Sequence, residues 1–196
     1  RKEMIVNTVS GKIYCVDYRG RILFEYDAGG RLSSNPMIID VDGDNKFEIV
    51  ALTFTNPKLV ILNADGTDYP GFPINISGAV ISAPASGDLN GDGYKEIIFA
   101  TSAGKMHAIS VTTKEDIAGW PKNIGSASWN GPVVADITGN GTPDVIVANL
   151  QGSIQAYTNS GEEIFSRSVG NAIRSGVLAY DLDGDGIIDK IDTDTK

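Results

Sequence analysis

Asp88-Leu-Asn90-Gly-Asp92-Gly-Tyr-Lys-Glu96, followed directly by Ile97-Ile98, is the stretch that decides the fold. The same acidic loop, with oxygen-bearing side chains at loop positions 1, 3, 5 and 9, occurs four times, and the first residues of the copies lie 48, 48 and 45 positions apart. Such near-constant spacing indicates one structural unit that is repeated along the chain. The other copies are Asp40-Val-Asp42-Gly-Asp44-Asn-Lys-Phe-Glu48, Asp136-Ile-Thr138-Gly-Asn140-Gly-Thr-Pro-Asp144 and Asp181-Leu-Asp183-Gly-Asp185-Gly-Ile-Ile-Asp189.

The oxygen atoms of these loops suit Ca²⁺, a hard cation that takes six to eight oxygen ligands. Glycine at positions 4 and 6 permits the positive-φ turns that fold side chains back onto one ion, and Asn45, which replaces the second glycine of the first copy, tolerates that conformation. Position 7 would add its backbone carbonyl. The predicted calcium ligands are, copy by copy, Asp40, Asp42, Asp44, Lys46 and Glu48; Asp88, Asn90, Asp92, Tyr94 and Glu96; Asp136, Thr138, Asn140, Thr142 and Asp144; and Asp181, Asp183, Asp185, Ile187 and Asp189.

The four loops differ in charge. The first and fourth copies have four carboxylates each, the second has three, and the third has only Asp136 and Asp144. Because calcium affinity rises with the charge of the ligands, we predict that the third site is the weakest or stays empty. The alternative is that these are acidic turns that merely cap hairpins. The recurrence of the same loop pattern four times at near-constant spacing disfavours it.

An EF-hand is the nearest alternative for such loops. Its loop needs a bidentate Glu at position 12, and that position is here Ala51, Phe99, Val147 and Asp192, three of which lie in apolar runs. The fourth loop, with Asp192 and Asp194 after it, also resembles a thrombospondin type 3 calcium repeat. That resemblance remains an alternative for the tail.

Each acidic loop belongs to a longer pattern of short strands. A β-branched run follows each of the first three loops, then a turn with an alternating strand, then a segment with an aromatic residue. Runs of four to eight residues rich in Val, Ile, Tyr and Phe, bounded by Gly, Asn, Asp and Pro, are typical of strands, and the absence of a sustained 3.6-residue apolar period predicts almost no helix. The aromatic residues stand at matching positions of an expected aromatic strand: Phe24, Phe72, Trp120 and Phe165.

The third strand of each unit is largely apolar on both faces. In one copy Leu59 and Ile61 lie on one face and Val60 and Leu62 on the other, as in a sheet that is covered on both sides. Four-stranded antiparallel units stacked face to face around an axis form a β-propeller. We therefore predict an all-β chain with about four blades of four-stranded antiparallel sheet.

The predicted domain is a single β-propeller, or a fragment of one, over residues 1–196. Its repeats begin near 34, 82, 130 and 175, and a partial blade occupies residues 3–26. Because the chain begins in the middle of a repeat, we expect a longer parent chain with further blades or domains. The alternative is a small ring in which Ser175–Tyr180 completes the first blade.

The unit Pro-x-x-x-Asp-x-Asp-Gly-Asp-Gly-x-x-Glu-Ile, found at residues 36–49, 84–97 and 132–145, resembles the FG-GAP repeat, also called VCBS. This repeat forms the blade of integrin α-subunit propellers and occurs in many bacterial secreted proteins. The resemblance covers nearly the whole chain and implies Ca²⁺ in the loop between the first two strands of a blade, on the ligands given above. The third loop departs from the pattern at Thr138 and Asn140. Family propellers usually have about seven blades, which implies that this chain is part of a larger ring.

Composition excludes several kinds of partner. The net charge of −9 argues against a surface for nucleic acid or for an anionic membrane, and thirteen of the 25 acidic residues lie in the four loops. No apolar run reaches membrane-spanning length, so no membrane insertion is expected. Calcium sites of extracellular modules have Kd values on the order of 10⁻⁴–10⁻³ M, which would leave them empty in the cytosol. We therefore expect an extracellular protein, either secreted or on the cell surface.

The residues needed for catalysis are scarce, and we predict that the chain is not an enzyme. It has one histidine, His107, on an alternating strand, and one cysteine, Cys15, at a core position, so no internal disulfide can form. No Ser-His-Asp or Cys-His set can be assembled. Several acids outside the loops are predicted to lie at outer hairpin turns, where charge is solvated, among them Asp65, Glu115, Asp116, Glu162 and Glu163.

A rim position ahead of the innermost strands is the candidate ligand site. It is occupied by Ser33, Ile81, Trp129 and Arg174, and Trp129 with Arg174 would suit a sugar or an acidic side chain. The alternative is that Trp129 packs between blades. We predict a binding or adhesion module with a protein or carbohydrate ligand at the propeller face. Two alternatives remain: the non-catalytic propeller of a secreted polysaccharide-degrading enzyme, such as a polysaccharide lyase, and a structural spacer of a surface protein.

Overall fold

The computed structural model describes residues 3–181, which form four antiparallel sheets and no helix. The first sheet has three strands, β1 (Glu3–Asn7), β2 (Lys12–Asp17) and β3 (Ile22–Asp27). The second has β4 (Met37–Ile39), β5 (Glu48–Leu52), β6 (Lys58–Leu62) and β7 (Ile74–Asn75). The third has β8 (Ala85–Gly87), β9 (Glu96–Ala100), β10 (Lys105–Ile109) and β11 (Lys122–Asn123), and the fourth has β12 (Val133–Ala135), β13 (Asp144–Ala148), β14 (Ser153–Tyr157) and β15 (Glu163–Ser168). Within this range, no helix is long and apolar enough to span a membrane.

The sheets are the blades of a β-propeller, as the repeat predicted. Strands pair with their neighbours in chain order, and the partial blade is the three-stranded first sheet. Alternate residues of β5 pack into two different hydrophobic clusters. Ile49 and Ala51 lie in the cluster shared with the first sheet. Val50 and Leu52 lie in the cluster shared with the third sheet. Each middle blade thus buries both faces against its neighbours.

The same alternation joins the third and fourth blades. Ile97 and Phe99 of β9 pack toward the second blade, and Ile98 and Ala100 pack toward Val147 of the fourth. Phe99 and Ile98 are fully buried. The two-sided burial that was inferred from the apolar third strands is therefore confirmed.

Two of the four aromatic residues lie outside the strand that was predicted for them. Phe24 and Phe165 are in β3 and β15, but Phe72 and Trp120 precede β7 and β11, and each is followed by a proline in a cis peptide. A proline has no N–H to donate to a β-ladder, so these outer strands begin only after it. Both rings are nevertheless buried, with 5% and 7% of their surface exposed.

The small-ring alternative stays a prediction, because the structure describes the chain only as far as Asp181. Residues 175–180 form no strand, and within residues 3–181 no strand pairs with the free edge of β1. Of the fourth acidic loop only Asp181 is described. The remaining predicted residues of that loop and tail lie outside the described range: Asp183, Asp185, Ile187, Asp189, Asp192 and Asp194.

Candidate metal centre

The three described acidic loops are hairpins between the first and second strands of their blades, as predicted. In the second blade β4 ends at Ile39, one residue before Asp40, and β5 begins at Glu48. The third blade repeats this arrangement around Asp88 and Glu96. Each loop therefore joins the short inner strand to a fully buried one.

The carboxylate at loop position 1 folds the hairpin onto itself. Asp40 accepts the N–H groups of Gly43 and Asn45, at 2.7 Å and 2.9 Å. Asp88 and Asp136 accept the equivalent N–H groups of their own loops, at 2.7 to 3.0 Å. Asn45 has φ of 65°, which confirms that it takes the conformation predicted for the missing glycine.

The acid at position 9 is buried and ties the two ends of the loop together. Glu48 accepts the N–H of Val41 at 3.0 Å, and Glu96 accepts the N–H of Leu89 at 2.8 Å. Only 3% of Glu48 and none of Glu96 is exposed. The acid is thus fixed beside the loop by backbone hydrogen bonds.

The first loop brings three of its predicted ligands together. Ligand oxygens of Asp40, Asp42 and Glu48 all lie within 4.8 Å of one another, the only such group of three acids in residues 3–181. Burial raises the pKa of Glu48, and the negative charges of Asp42, Asp44 and Asp40 raise it further. Because these carboxylates repel one another, a divalent cation would stabilise the arrangement, and the oxygen-only donor set fits Ca²⁺.

Asp44 is not part of this group. Its carboxylate accepts the N–H of Lys46 and forms an ion pair with the Lys46 ammonium at 2.7 Å. The hydrogen bond from the Lys46 side chain lowers the pKa of Asp44. The backbone carbonyls of Lys46, Tyr94 and Thr142 remain predicted ligands.

The second loop holds its acids through an amide. Asn90 donates through Nδ2 to Asp92 and to Glu96, both at 3.1 Å, while its Oδ1 accepts the N–H of Asp92 at 2.8 Å. Burial raises the pKa of Glu96. The loop therefore has the same backbone form as the first with one carboxylate fewer.

The third loop leaves one buried oxygen unsatisfied. Asp144 is fully buried, and its Oδ2 accepts the N–H groups of Ile137 and Thr138 and the Thr138 hydroxyl, each at 3.1 Å. Its Oδ1 is buried with no hydrogen-bond partner in the described chain. A buried carboxylate oxygen without a partner is costly, and a cation would satisfy it. This loop therefore also fits a metal, and its standing as the weakest or an empty site stays a prediction.

One residue of the first site was missed by the sequence analysis. The hydroxyl of Tyr69, in the connection between β6 and β7, donates to Oδ2 of Asp42 at 3.0 Å. Burial, followed by the hydrogen bond to Asp42, raises the pKa of Tyr69, so the phenol stays a donor. At the same repeat position the third blade has the apolar residue Ile117. The polar hydroxyl of Tyr69 at a position that is apolar in the next repeat is the sequence signal that could have identified it.

Trp129 and Arg174 lie together at the rim. The guanidinium carbon of Arg174 is 4.8 Å from the centre of the Trp129 ring, and 48% of Trp129 is exposed. About half of Trp129 is thus exposed at the rim, and the alternative that Trp129 packs between blades stays a prediction. Ser33 and Ile81, at the same repeat position, line one cavity with Trp129.

His107 and Cys15 are packing residues. The ring of His107 stacks on Phe99 with the ring centres 5.3 Å apart, and its Nδ1 lies 2.8 Å from the carboxylate of Asp116. Asp116 also accepts the N–H of Ala108, so the prediction that this acid is merely solvated turn charge is wrong. Cys15 is buried as predicted, and burial raises the pKa of its thiol.

Comparisons with known proteins agree with this geometry. A family model described as FG-GAP-like repeat matches residues 40–99 and 136–190. The fold is similar to BamB from Moraxella catarrhalis, with a TM-score of 0.61 and 20% identity over 85% of this chain and 45% of that one. It is also similar to BBS1N in a crystal of its complex with ARL6DN soaked with lead, with a TM-score of 0.64 and 16% identity over 85% of this chain and 49% of that one. For the crystal soaked with mercury the TM-score is 0.61 and the identity 15%, over 88% of this chain and 52% of that one.

These likenesses concern the fold alone, because the identities are low. The chain spans about half the length of the solved structures that it matches. A comparison with curated protein sequences found no significant match.

Proposed function

Because the chain belongs to the FG-GAP-like repeat family, we propose that it is an extracellular, calcium-stabilised β-propeller that acts as a binding or adhesion module and performs no reaction of its own. The observation that carries the proposal is the group formed by Asp40, Asp42 and Glu48. Calcium held by these oxygens would neutralise their repulsion and fix the hairpin between β4 and β5. The equivalent loops would do the same in their blades.

The affinity expected of such sites supports an extracellular location. Sites of extracellular modules bind Ca²⁺ with Kd on the order of 10⁻⁴–10⁻³ M, so only calcium outside the cytosol would fill them. At a tenfold excess over Kd, each filled site stabilises the fold by about 1.4 kcal/mol. Several sites together would then be a large share of a net stability of roughly 5–15 kcal/mol.

The positions of the reactive side chains support binding rather than catalysis. His107 is buried against Phe99 and Asp116, and Cys15 is buried in the first blade. Both side chains are therefore engaged in packing. The exposed side chains at the rim, Trp129 and Arg174, favour a protein or carbohydrate ligand at that face of the propeller.

The first sheet has an open face that we propose is covered by further blades of a longer parent chain. Met4 and Val6 of β1 are 53% and 49% exposed, whereas Ile5 between them packs against the second blade. Met4 and Val6 thus form an apolar face on the side of the sheet that is away from the second blade. Such a face is expected where another blade packs against it. The matched structures, about twice as long as this chain, are consistent with this proposal.

Calcium-dependent thermal unfolding tests the proposal. The melting temperature should rise with added Ca²⁺ and fall with a chelator, and Asp42→Asn should weaken the calcium dependence because the first site loses a carboxylate. Asp65→Asn removes the same charge from an exposed hairpin of the same blade and should leave the dependence unchanged. A melting curve that is identical in chelator and in excess calcium would overturn the proposal.

A further inference from the structure

A cavity of about 220 Å³ lies where the segments that lead into three successive inner strands converge. The second blade contributes Ser33, Ser34 and Asn35, the third contributes Ile81, and the fourth contributes Trp129 and Asn130. Pockets for drug-sized ligands measure roughly 300–1,000 Å³, so this cavity suits a single small ring rather than a folded peptide. The acidic loops follow the same strands, so the cavity and the metal loops lie at opposite ends of β4, β8 and β12.

The lining of the cavity is polar but uncharged. Its polar side chains are the hydroxyls of Ser33 and Ser34 and the amides of Asn35 and Asn130. Hydroxyls and amides donate and accept hydrogen bonds, as sugar hydroxyls do. A charged ligand would lose hydration there without an opposite charge in the lining to replace it, which is costly.

One hydroxyl of the cavity is left without a partner. Oγ of Ser34 is buried and has no hydrogen-bond partner among residues 3–181, although the Ser34 carbonyl accepts a hydrogen bond from the Asn7 amide. Buried polar atoms are normally hydrogen-bonded, so this oxygen is an unsatisfied group within the wall of the cavity and not a surface that a ligand touches directly.

The aromatic wall is held in place by its neighbours. The guanidinium of Arg174 stacks on the Trp129 ring, and the Asn130 amide donates to the Arg174 carbonyl at 2.5 Å. The hydroxyl of Ser128 donates to the Asn130 carbonyl at 2.7 Å. With 48% of its surface exposed, the fixed indole offers an apolar surface to the C–H face of a sugar ring at low entropic cost.

We infer that this cavity binds a neutral saccharide, with one sugar ring on Trp129 and its hydroxyls on the Ser and Asn side chains of the second and fourth blades. The inference rests on the proposed binding function and names its ligand class and site. An acidic peptide is disfavoured because the lining residues are all uncharged and the guanidinium of Arg174 already stacks on the indole.

Indole N–H resonances provide a direct test, because the chain has two tryptophans. In the calcium-loaded chain, titration with galactose, glucose, mannose and N-acetylglucosamine should shift the Trp129 indole cross-peak for at least one sugar. Trp120 is the internal control, since it is buried and its Nε1 donates to the Asn159 carbonyl at 3.1 Å, so its cross-peak should stay in place. Failure of every sugar to shift the Trp129 cross-peak would overturn the inference.

Variants separate the cavity from other surfaces. Trp129→Ala should weaken retention on a column of the responding sugar by at least roughly tenfold. Tyr18→Ala is the matched control, because Tyr18 is also exposed and stacked by an arginine, Arg19, at 5.2 Å, but in the hairpin between β2 and β3. Equal retention of both variants, or a Trp129 shift produced only by a hexaglutamate peptide, would overturn the inference. Calcium-dependent melting, measured on the same samples, reports separately on the proposed function.

Discussion

At the scale of single residues, Asp17 fixes the hairpin between β2 and β3 with one carboxylate. Its Oδ1 accepts the N–H groups of Arg19 and Arg21, at 2.8 Å and 2.9 Å, and its Oδ2 accepts the side-chain Nε of Arg21 at 2.8 Å. These interactions, the backbone N–H of Arg21 foremost, lower the pKa of Asp17. All of them favour the charged carboxylate, so ionisation of Asp17 stabilises the hairpin.

Asp17 should therefore make a pH-dependent contribution to stability. The folded pKa lies below the unfolded value of about 3.9, so the contribution is present above that pH and is lost as the pH falls through the folded pKa. Asp17→Asn should lower the melting temperature at pH 6 and lose this effect toward pH 3. Asp27→Asn, at an exposed acid of the same sheet, is the control. A deficit of Asp17→Asn that stays constant from pH 6 to pH 3 would contradict the argument.

The third loop permits a gain-of-binding experiment. Thr138 stands where the first loop has Asp42, and it lies beside Asp136 and the buried Asp144. Thr138→Asp should raise calcium affinity at this loop, because affinity rises with ligand charge. Isothermal titration should then show tighter binding or one more site. Ser166→Asp adds the same charge to the exposed strand β15 and should change neither quantity. Unchanged calcium binding by Thr138→Asp would show that loop charge does not limit this site.

The pattern of possible ligands within each loop could be predicted from the sequence. The side-chain contacts between separate strands and loops could not. Acids at fixed loop positions predicted that Asp40, Asp42 and Glu48 come together, because the positions are set by local backbone turns, and their role as ligands stays a prediction. Tyr69 and Asp116 were not predicted in their roles, because their hydrogen bonds to Asp42 and His107 depend on how separate strands and loops pack. Asp44 was predicted as a ligand from spacing, but it pairs with Lys46 through a side-chain contact that spacing does not determine.

At the scale of elements, an outer hairpin of the second blade packs against the first blade. Gly66 lies in the hairpin after β6 with φ of 86°, and a Cβ at this position would lie 2.6 Å from the Phe24 ring of the first blade. Gly20 holds the corresponding place in the hairpin after β2, with φ of 78°, and a Cβ there would meet nothing within 4 Å. The two glycines share a backbone conformation and differ in their surroundings.

Alanine variants of Gly20 and Gly66 distinguish the cost of backbone strain from the cost of overpacking between blades. Gly20→Ala should cost about 1–2 kcal/mol, the penalty of a left-handed conformation with a Cβ. Gly66→Ala should cost a further amount of about 1–3 kcal/mol, because the added methyl overpacks against Phe24. Chemical denaturation in saturating calcium measures both values. Equal losses in the two variants would mean that the hairpin does not press on the neighbouring blade.

The elements themselves were largely predictable, and the differences have local causes. Strands such as β5 and β9 follow from β-branched runs bounded by turn residues. The short outer strands β7 and β11 begin later than predicted, because Pro73 and Pro121 cannot donate to the ladder. In the second and third blades the aromatic repeat marks a packing position ahead of the outer strand, since Phe72 and Trp120 are buried, whereas Phe24 and Phe165 stand within strands.

At the scale of the whole molecule, each of the three hydrophobic clusters among residues 3–181 is shared by two blades. One cluster joins the first and second blades through Ile13 and Leu62, and another joins the third and fourth through Met106 and Val147. The second and third blades share a third cluster around Phe99. Because each middle blade contributes to two clusters, loss of one blade exposes the core of the next, and we expect all described blades to unfold together.

A distant tryptophan can report this coupling. In a Trp129→Phe background the remaining tryptophan, Trp120, lies in the cluster between the third and fourth blades, whereas Leu62 is fully buried in the cluster between the first and second. Leu62→Ala should cost about 2–5 kcal/mol and shift the denaturation midpoint of Trp120 fluorescence by the corresponding amount. Leu23→Ala, at a 51% exposed position of β3, should change stability by less than about 0.5 kcal/mol. If Leu62→Ala lowers the midpoint measured by circular dichroism but leaves the Trp120 midpoint in place, the blades unfold independently and the shared clusters do not couple them.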